Sequence, residues 1–316
     1  MERFHYTMLS DSHRVKAFQK AIMELVAPGD VVLDIGTGTG ILALMAARSS
    51  AGKVYGVDYR SITPLAREIV KANRCEEIVE IVTGDLRDID LPEKVDVVMG
   101  EVLGSFGIEE DILTLFHFAR DHFLKPGGEM IPQRIKLYVA PFRSLRIRRR
   151  FKFWDDVYGF DYSPVLNRLR NLVQVEPVSR SNLVAPAECI GDFDLRTCTE
   201  NDINVVADFR FADPGLIDGF CGWFTAVLAP GVTLDSGPES PDLHWQRTVF
   251  PLVPPVKVRG GDHARLRITS THFGNEVHLN WFVDFSVSKK RIMRKQAAFL
   301  AVDPPGKPTH LSLIHI

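Results

Sequence analysis

The chain has 316 residues, of which 45% are hydrophobic and 25% charged, and its formal net charge is −2. These are ordinary globular values that exclude a disordered or fibrous chain, and the length suits one large or two medium domains. The balanced charge gives no footprint for direct nucleic-acid binding, and neither a membrane-spanning apolar run nor a signal-peptide apolar core is present, so no membrane association is expected.

The first ten residues carry no clear pattern. From Asp11 to Val26 the apolar positions Val15, Phe18, Ile22, Met23 and Val26 recur at helical spacing, with Asp11 or Ser12 available as N-cap. The β-branched run Val31-Val-Leu-Asp34 reads as a buried parallel strand. Glycines at 36, 38 and 40 follow, and Ile41-Leu-Ala-Leu-Met-Ala-Ala47 opens a helix. A dinucleotide fold wants G-x-G-x-x-G, but here the third glycine comes one residue early. With Asp34 two places before the first glycine, the stretch resembles the S-adenosylmethionine methyltransferase fingerprint.

Lys53-Val-Tyr-Gly-Val-Asp58 is the next strand, with a helix from Ser61 to Asn73. Asp58 ends that strand twenty residues after Gly38, where an acid can accept both ribose hydroxyls of an adenosine. Strands follow at Ile78–Thr83 and at Val95–Glu101. Between them Asp85 could face an adenine or be a plain surface acid. A helix over 110–123, a turn at Lys125-Pro-Gly-Gly128 and a strand over 130–142 complete the alternation. The basic run Arg143–Lys152 reads as a solvated helix face, with docking of an acidic partner as the lesser reading. From Ala187 onwards the apolar pattern has period two, as in Ile203-Asn-Val-Val-Ala-Asp-Phe, which predicts an antiparallel sandwich or barrel and a boundary near residue 142. Cys75, Cys189, Cys198 and Cys221 form no C-x-x-C pair, as expected of reduced thiols in a cytoplasmic protein. Residues 303–316 are expected to be a disordered tail. Its last six, Leu311-Ser-Leu-Ile-His-Ile316, read equally as a translated sequencing adapter or as an ordinary apolar end.

Several separate stretches, in order over about residues 4–290, resemble the protein arginine N-methyltransferase family. Glu101-Val-Leu-Gly-Ser-Phe-Gly-Ile-Glu-Glu110 resembles its loop of two glutamates nine positions apart. Leu243-His-Trp resembles its Thr-His-Trp loop, Met8-Leu-Ser-Asp11 with Arg14 its helix before the nucleotide turn, and Phe153-Trp-Asp-Asp-Val-Tyr-Gly-Phe-Asp161 the start of its dimerisation arm. The resemblance implies an α/β fold, with a Rossmann-like methyltransferase sheet over residues 1–142. An antiparallel β-barrel domain then covers 143–302, with an inserted helical dimerisation arm at about 150–180. It also implies S-adenosylmethionine as cofactor, an arginine-containing protein as substrate, and a homodimer.

The resemblance assigns roles residue by residue. Deprotonating a guanidinium at neutral pH costs about 9 kcal/mol, since its pKa lies far above 7. Two carboxylates, Glu101 and Glu110, would instead grip it through charge-assisted bonds and let the proton leave as the methyl arrives. Glu109 could take the place of Glu110. His244 with Asp11 would relay the proton, and Met8 and Trp245 would shape the arginine slot. The cofactor would be held by His5, Arg14 (at its carboxylate), Asp34, Gly36, Thr37, Gly38, Asp58 (at its ribose) and Asp85.

Departures qualify the resemblance. Leu243 replaces the usual Thr. Arg87 stands where a family glutamate meets the adenine amine, which shifts that contact to Asp85. Ser105-Phe106 resembles the symmetric-dimethylating branch, whereas Met8 and His244-Trp245 resemble the asymmetric one. No tyrosine-bearing lid precedes His5. A small guanidino or amine acceptor, and a cofactor-binding scaffold without turnover, stand as alternatives.

Overall fold

The computed structural model describes residues 2–296 other than 241, 242, 274, 275, 288 and 289; the tail over 303–316 lies outside the described residues. The unplaced N-terminus forms a helix, α1 (Glu2–Ser10), and Asp11 separates it from α2 (Ser12–Leu25). The Asp11 carboxylate accepts the Arg14 amide (3.1 Å) and so caps α2. Along α2, Arg14, Phe18, Ala21 and Ile22 fall at i, i+4, i+7 and i+8 and form its buried face.

Five parallel strands follow: β1 (Val31–Ile35), β2 (Lys53–Asp58), β3 (Val79–Thr83), β4 (Val95–Gly100) and β5 (Leu124–Ile131). Helices α3 (Ile41–Arg48), α4 (Thr63–Ala72) and α5 (Ile112–His122) lie between them in sequence. The sheet order is β3-β2-β1-β4-β5. β1 is buried along its whole length, as its unbroken apolar run requires of a central parallel strand. Strand order reverses between β1 and β4, and a crevice opens there beyond their carboxyl ends. Ile35 and Gly100 are register partners, so the glycine turn after β1 and the glutamate loop after β4 leave the sheet side by side.

Two expectations are corrected here. The turn at 125–128 is absorbed into β5, whose pairing with β4 shifts register between Val95 and Val97, with Gly127 at φ +79° taking up the irregularity. The single strand expected over 130–142 is two. Pro132 has no amide to continue the ladder, and Gln133 instead donates to Val227 (2.8 Å) in the second lobe. β6 (Arg134–Phe142) then pairs with strands of that lobe rather than with β5.

The second lobe continues with α6 (Leu145–Phe153), α7 (Ser163–Leu169), β7 (Gln174–Glu176), β8 (Glu188–Asp194), β9 (Asn204–Arg210) and β10 (Gly215–Ala229). It ends with β11 (Val232–Asp235), β12 (Arg247–Val258), β13 (His263–Phe273), β14 (Glu276–Val287) and β15 (Lys290–Gln296). One antiparallel sheet runs β7-β12-β10-β6-β8, with β11 added on β10; the other runs β15-β14-β13-β9. Their inner faces meet through Phe220 with Phe209 and Phe285, and through Phe250 with Trp281, giving a barrel-like body. Phe106 of the first lobe packs edge-on against Phe250 (5.4 Å), so one apolar core runs through both lobes.

The arm helices α6 and α7 are seated on this body by Ile147, Phe151 and Leu166 against Phe142 and Trp223. The basic run is not simply a solvated face. Arg146 and Arg150 pair with the buried Glu176, and Arg148 forks onto the buried Asp218 (2.8 and 2.7 Å). Ionised acids buried at these positions need cationic partners, which a sequence pattern does not display.

Candidate active site

The glycine turn is braced from within. Asp34 is fully buried, and its Oδ2 accepts the Thr37 hydroxyl (2.6 Å) and the Ala43 amide (3.1 Å), fastening the turn to α3. Burial pushes its carboxyl up to about 7 against those two bonds. Thr37 is buried with it. Gly36, at φ +66°, is exposed, and a Cβ there would stand 2.6 Å from Val102. The Gly38 amide donates to Asp58 Oδ2 (3.0 Å) and the Arg60 amide to Asp58 Oδ1 (2.8 Å), so each oxygen of Asp58 keeps a lone pair for a further donor. His5, on α1, lies over Gly38: its Cε1 is 3.8 Å from the position of a Cβ there. Burial lowers the His5 pKa, with Asp58 pulling the other way.

These residues fit S-adenosylmethionine. The turn exposes bare backbone, Asp58 offers a pair of oxygens for ribose hydroxyls, and the buried Arg14 Nε has no hydrogen-bond partner within the protein. Two expected contacts are engaged differently. Arg14 pairs with Glu101 through Nη1 and donates to the Met8 carbonyl through Nη2 (3.0 Å), and its buried Nε makes no hydrogen bond within the protein. Asp85 is held in a fork by Arg87, Nε to Oδ1 (2.8 Å) and Nη2 to Oδ2 (2.7 Å), so the departure at Arg87 takes up the carboxylate that was expected to read the adenine.

The two neighbouring acids of the glutamate loop are engaged differently. Glu109 turns inward: its Oε1 and Oε2 accept the Phe106 amide (2.8 and 3.0 Å), and Oε2 also accepts the Ile108 amide (3.1 Å). Gly104 makes room for it, since a Cβ there would stand 2.8 Å from that of Glu109. Burial pushes the Glu109 carboxyl up to about 7. Glu110, the next residue, is solvent-accessible but recessed. The surrounding protein raises its pKa, while Arg60 and Arg14 pull it back. Glu101 is buried, bonded to Arg14 and to the Leu103 amide (3.2 Å). Burial pushes its carboxyl up to about 7 against the pull of Arg14, with Glu110 adding repulsion.

Across the crevice, Asp11 Oδ2 accepts both the backbone amide and the ring Nδ1 of His244, each at 3.0 Å. Burial acts to raise Asp11, but the bonds from the His244 and Arg14 amides and from the His244 ring outweigh it, and its pKa lies below the ordinary value. Burial lowers the His244 pKa despite Asp11. The imidazole is thus neutral, with Nδ1–H donated to Asp11 and an Nε2 lone pair available. Trp245 packs against the His244 ring and donates Nε1–H to the Leu103 carbonyl (2.6 Å). Met8, half-buried, meets the site through its carbonyl on Arg14.

Sequence reasoning missed Arg60 and the inward role of Glu109. Arg60 stands two residues past Asp58 at a strand end, a position that could have flagged it; Glu109 carried no such signal.

A parallel sheet with a glycine turn after its central strand and an acid ending the next defines a class I S-adenosylmethionine-dependent methyltransferase. Residues 133–290 match the model of the arginine methyltransferase oligomerization subdomain, and residues 16–132 that of ribosomal protein L11 methyltransferase. Protein arginine N-methyltransferase 1 of Saccharomyces cerevisiae is 32% identical over 269 residues, covering 82% of this chain and 77% of that protein. Protein arginine N-methyltransferase 6 of Xenopus tropicalis is 31% identical over 301 residues, covering 90% and 88%. Among solved structures, the Trypanosoma brucei PRMT1 enzyme–prozyme heterotetrameric complex with AdoHcy superposes with a TM-score of 0.83 at 30% identity, over 93% of this chain and 97% of that one. Arabidopsis thaliana protein arginine methyltransferase 10 gives 0.79 at 26%, over 93% and 97%. The chain belongs to the protein arginine N-methyltransferase family. It is an S-adenosylmethionine-dependent enzyme with an oligomerisation subdomain, and no helix among its described residues is long and apolar enough to cross a membrane.

Proposed function

We propose that Glu101 and Glu110 form the clamp with which this enzyme methylates the guanidino nitrogen of arginine in a protein substrate. The observation that carries this reading is the different engagement of Glu109 and Glu110. Glu109 is consumed by loop amides, whereas Glu110 is exposed and close enough to Glu101 to repel it. Two carboxylates around a guanidinium fix its plane and keep electron density on the attacking nitrogen. Bound S-adenosylmethionine supplies an electrophilic methyl group on a sulfonium. Asp58, Gly36, Gly38 and His5 would hold it over the turn, and Arg14 Nε is a donor left for its carboxylate. Asp34 and Thr37 keep the turn in shape, and Asp85 acts through its fork with Arg87. His244 Nε2 takes the proton released by the nitrogen, while Asp11 holds the ring and stabilises the imidazolium. Trp245 and Met8 line the approach.

The arm supports a homodimer. Phe153, Tyr158 and Phe160 are exposed on it, and apolar surface of that kind favours a partner. Free thiols at Cys75, Cys189, Cys198 and Cys221 support a cytoplasmic setting.

The test is methyl transfer from labelled S-adenosylmethionine to an Arg-Gly-rich peptide by wild type, Glu101→Gln and Glu110→Gln. Labelled methylarginine in the wild type, lost in both variants, is the expected result, and the isomer identifies the product. Cofactor binding with no labelled arginine would overturn the reading in favour of a small acceptor or a scaffold without turnover.

A further inference from the structure

Asp111, directly after Glu110, begins α5 in the left-handed region (φ +62°), yet its carboxylate makes no capping bond to that helix. It reaches His272 on β13 instead, 2.8 Å from Nε2; the other ring nitrogen, Nδ1, is 3.0 Å from Asp202. Ionised carboxylates only accept, so a neutral imidazole could satisfy one of these contacts and would oppose a lone pair to a carboxylate at the other. Both are satisfied only when His272 carries two N–H groups. Asp202 also accepts the Ser270 hydroxyl (2.9 Å), and Thr114 on α5 stands 3.4 Å from Nε2. The charged groups acting on the ring are Asp111 and Asp202, and Asp111 in turn lies in the field of Arg87 from the Leu86–Asp88 turn.

We infer that His272 is a positioning residue for Glu110, holding the end of the glutamate loop against the second lobe through Asp111. This rests on Glu110 acting as proposed above. Asp111, with its left-handed backbone, reaches β13 with its carboxylate, while Glu110 lies in the field of Arg60 and Arg14. The contact of Asp111 with His272 therefore fixes the residue from which Glu110 is displayed. The two acids raise the His272 pKa above 6.5 against the effect of burial. A raised histidine contributes fully below its unfolded value and loses its contribution as pH rises through the folded one. The tie is therefore complete below 6.5 and releases as pH rises through the raised value.

The experiment compares wild type, His272→Gln and Asp111→Asn by pH–rate profile on an Arg-Gly-rich peptide. In parallel, NMR titration follows His272, and amide exchange is measured over residues 108–112. Expected are titration of His272 above 6.5, a wild-type kcat that falls as it deprotonates, and a roughly fivefold lower kcat without that step in both variants. Faster exchange at 108–112 and cofactor affinity within about twofold of wild type complete the pattern. Titration at or below 6.5, or variants that follow the wild-type profile, would overturn the inference. A wild type inactive on arginine would overturn the proposed clamp and this role with it, while an active wild type with indifferent variants removes this role alone.

Discussion

Trp245 donates its indole N–H to the carbonyl of Leu103 across 2.6 Å, joining residues 142 positions apart and the two lobes at the base of the glutamate loop. Both residues are buried, so the carbonyl has no recourse to water. Trp245→Phe should preserve much of the packing against Phe224 and His244 and lose the bond, at a cost of about 1–3 kcal/mol. A lowered melting temperature together with reduced kcat is expected; an unchanged melting temperature would show that the bond contributes nothing.

Gly36→Ala places a methyl at φ +66° within 2.6 Å of Val102, the neighbour of Glu101. Turn and glutamate loop are disturbed together. Calorimetric titration with S-adenosylhomocysteine should show affinity at least about tenfold weaker, as for other misplaced binding groups. Unweakened binding would mean that the turn is not the cofactor cradle.

Glu109→Gln tests the inward carboxylate. Its pKa is raised from 4.5 to about 7, so the stability it contributes is complete below 4.5 and is lost as pH rises through about 7. Wild-type melting temperature should decline over that window more steeply than that of Glu109→Gln. Parallel curves would place the titration elsewhere.

For Asp11→Asn, the expectation concerns the proton acceptor. His244 must be neutral, and burial sets its pKa below 6.5, so the acid limb of wild-type kcat should lie below that value. Removing Asp11 withdraws what raises the histidine pKa and what orients its ring. The acid limb should move lower still and the plateau fall by roughly 10–100-fold. A limb that stays in place would exclude His244 as the titrating group.

What could be read from the chain was whatever repeats or spaces itself locally. The glycines at 36, 38 and 40, the acid at 58 and the glutamates at 101 and 110 all announce themselves by interval, and the period-two second half announced antiparallel sheets. Orientation within a loop has no interval. Glu109 and Glu110 are equivalent as letters, and only the amides of Phe106 and Ile108 and the room at Gly104 separate them. The pairing of Arg14 with Glu101 spans 87 positions, too far for any local pattern to display it. The fork of Arg87 on Asp85 depends on a single 3-10 turn, and the split of one long strand at Pro132 on a ladder that changes sheets.

The carboxylate of Asp11 caps α2 through the Arg14 amide and also holds His244. Orientation of the His244 ring is thereby made inseparable from formation of a helix start far away in the chain, since the bonded pair lies 233 residues apart. A molecule whose N-terminal helices have not docked has no oriented imidazole, however complete its barrel-like lobe. With His244 as the proposed proton acceptor, catalytic competence would follow completion of folding.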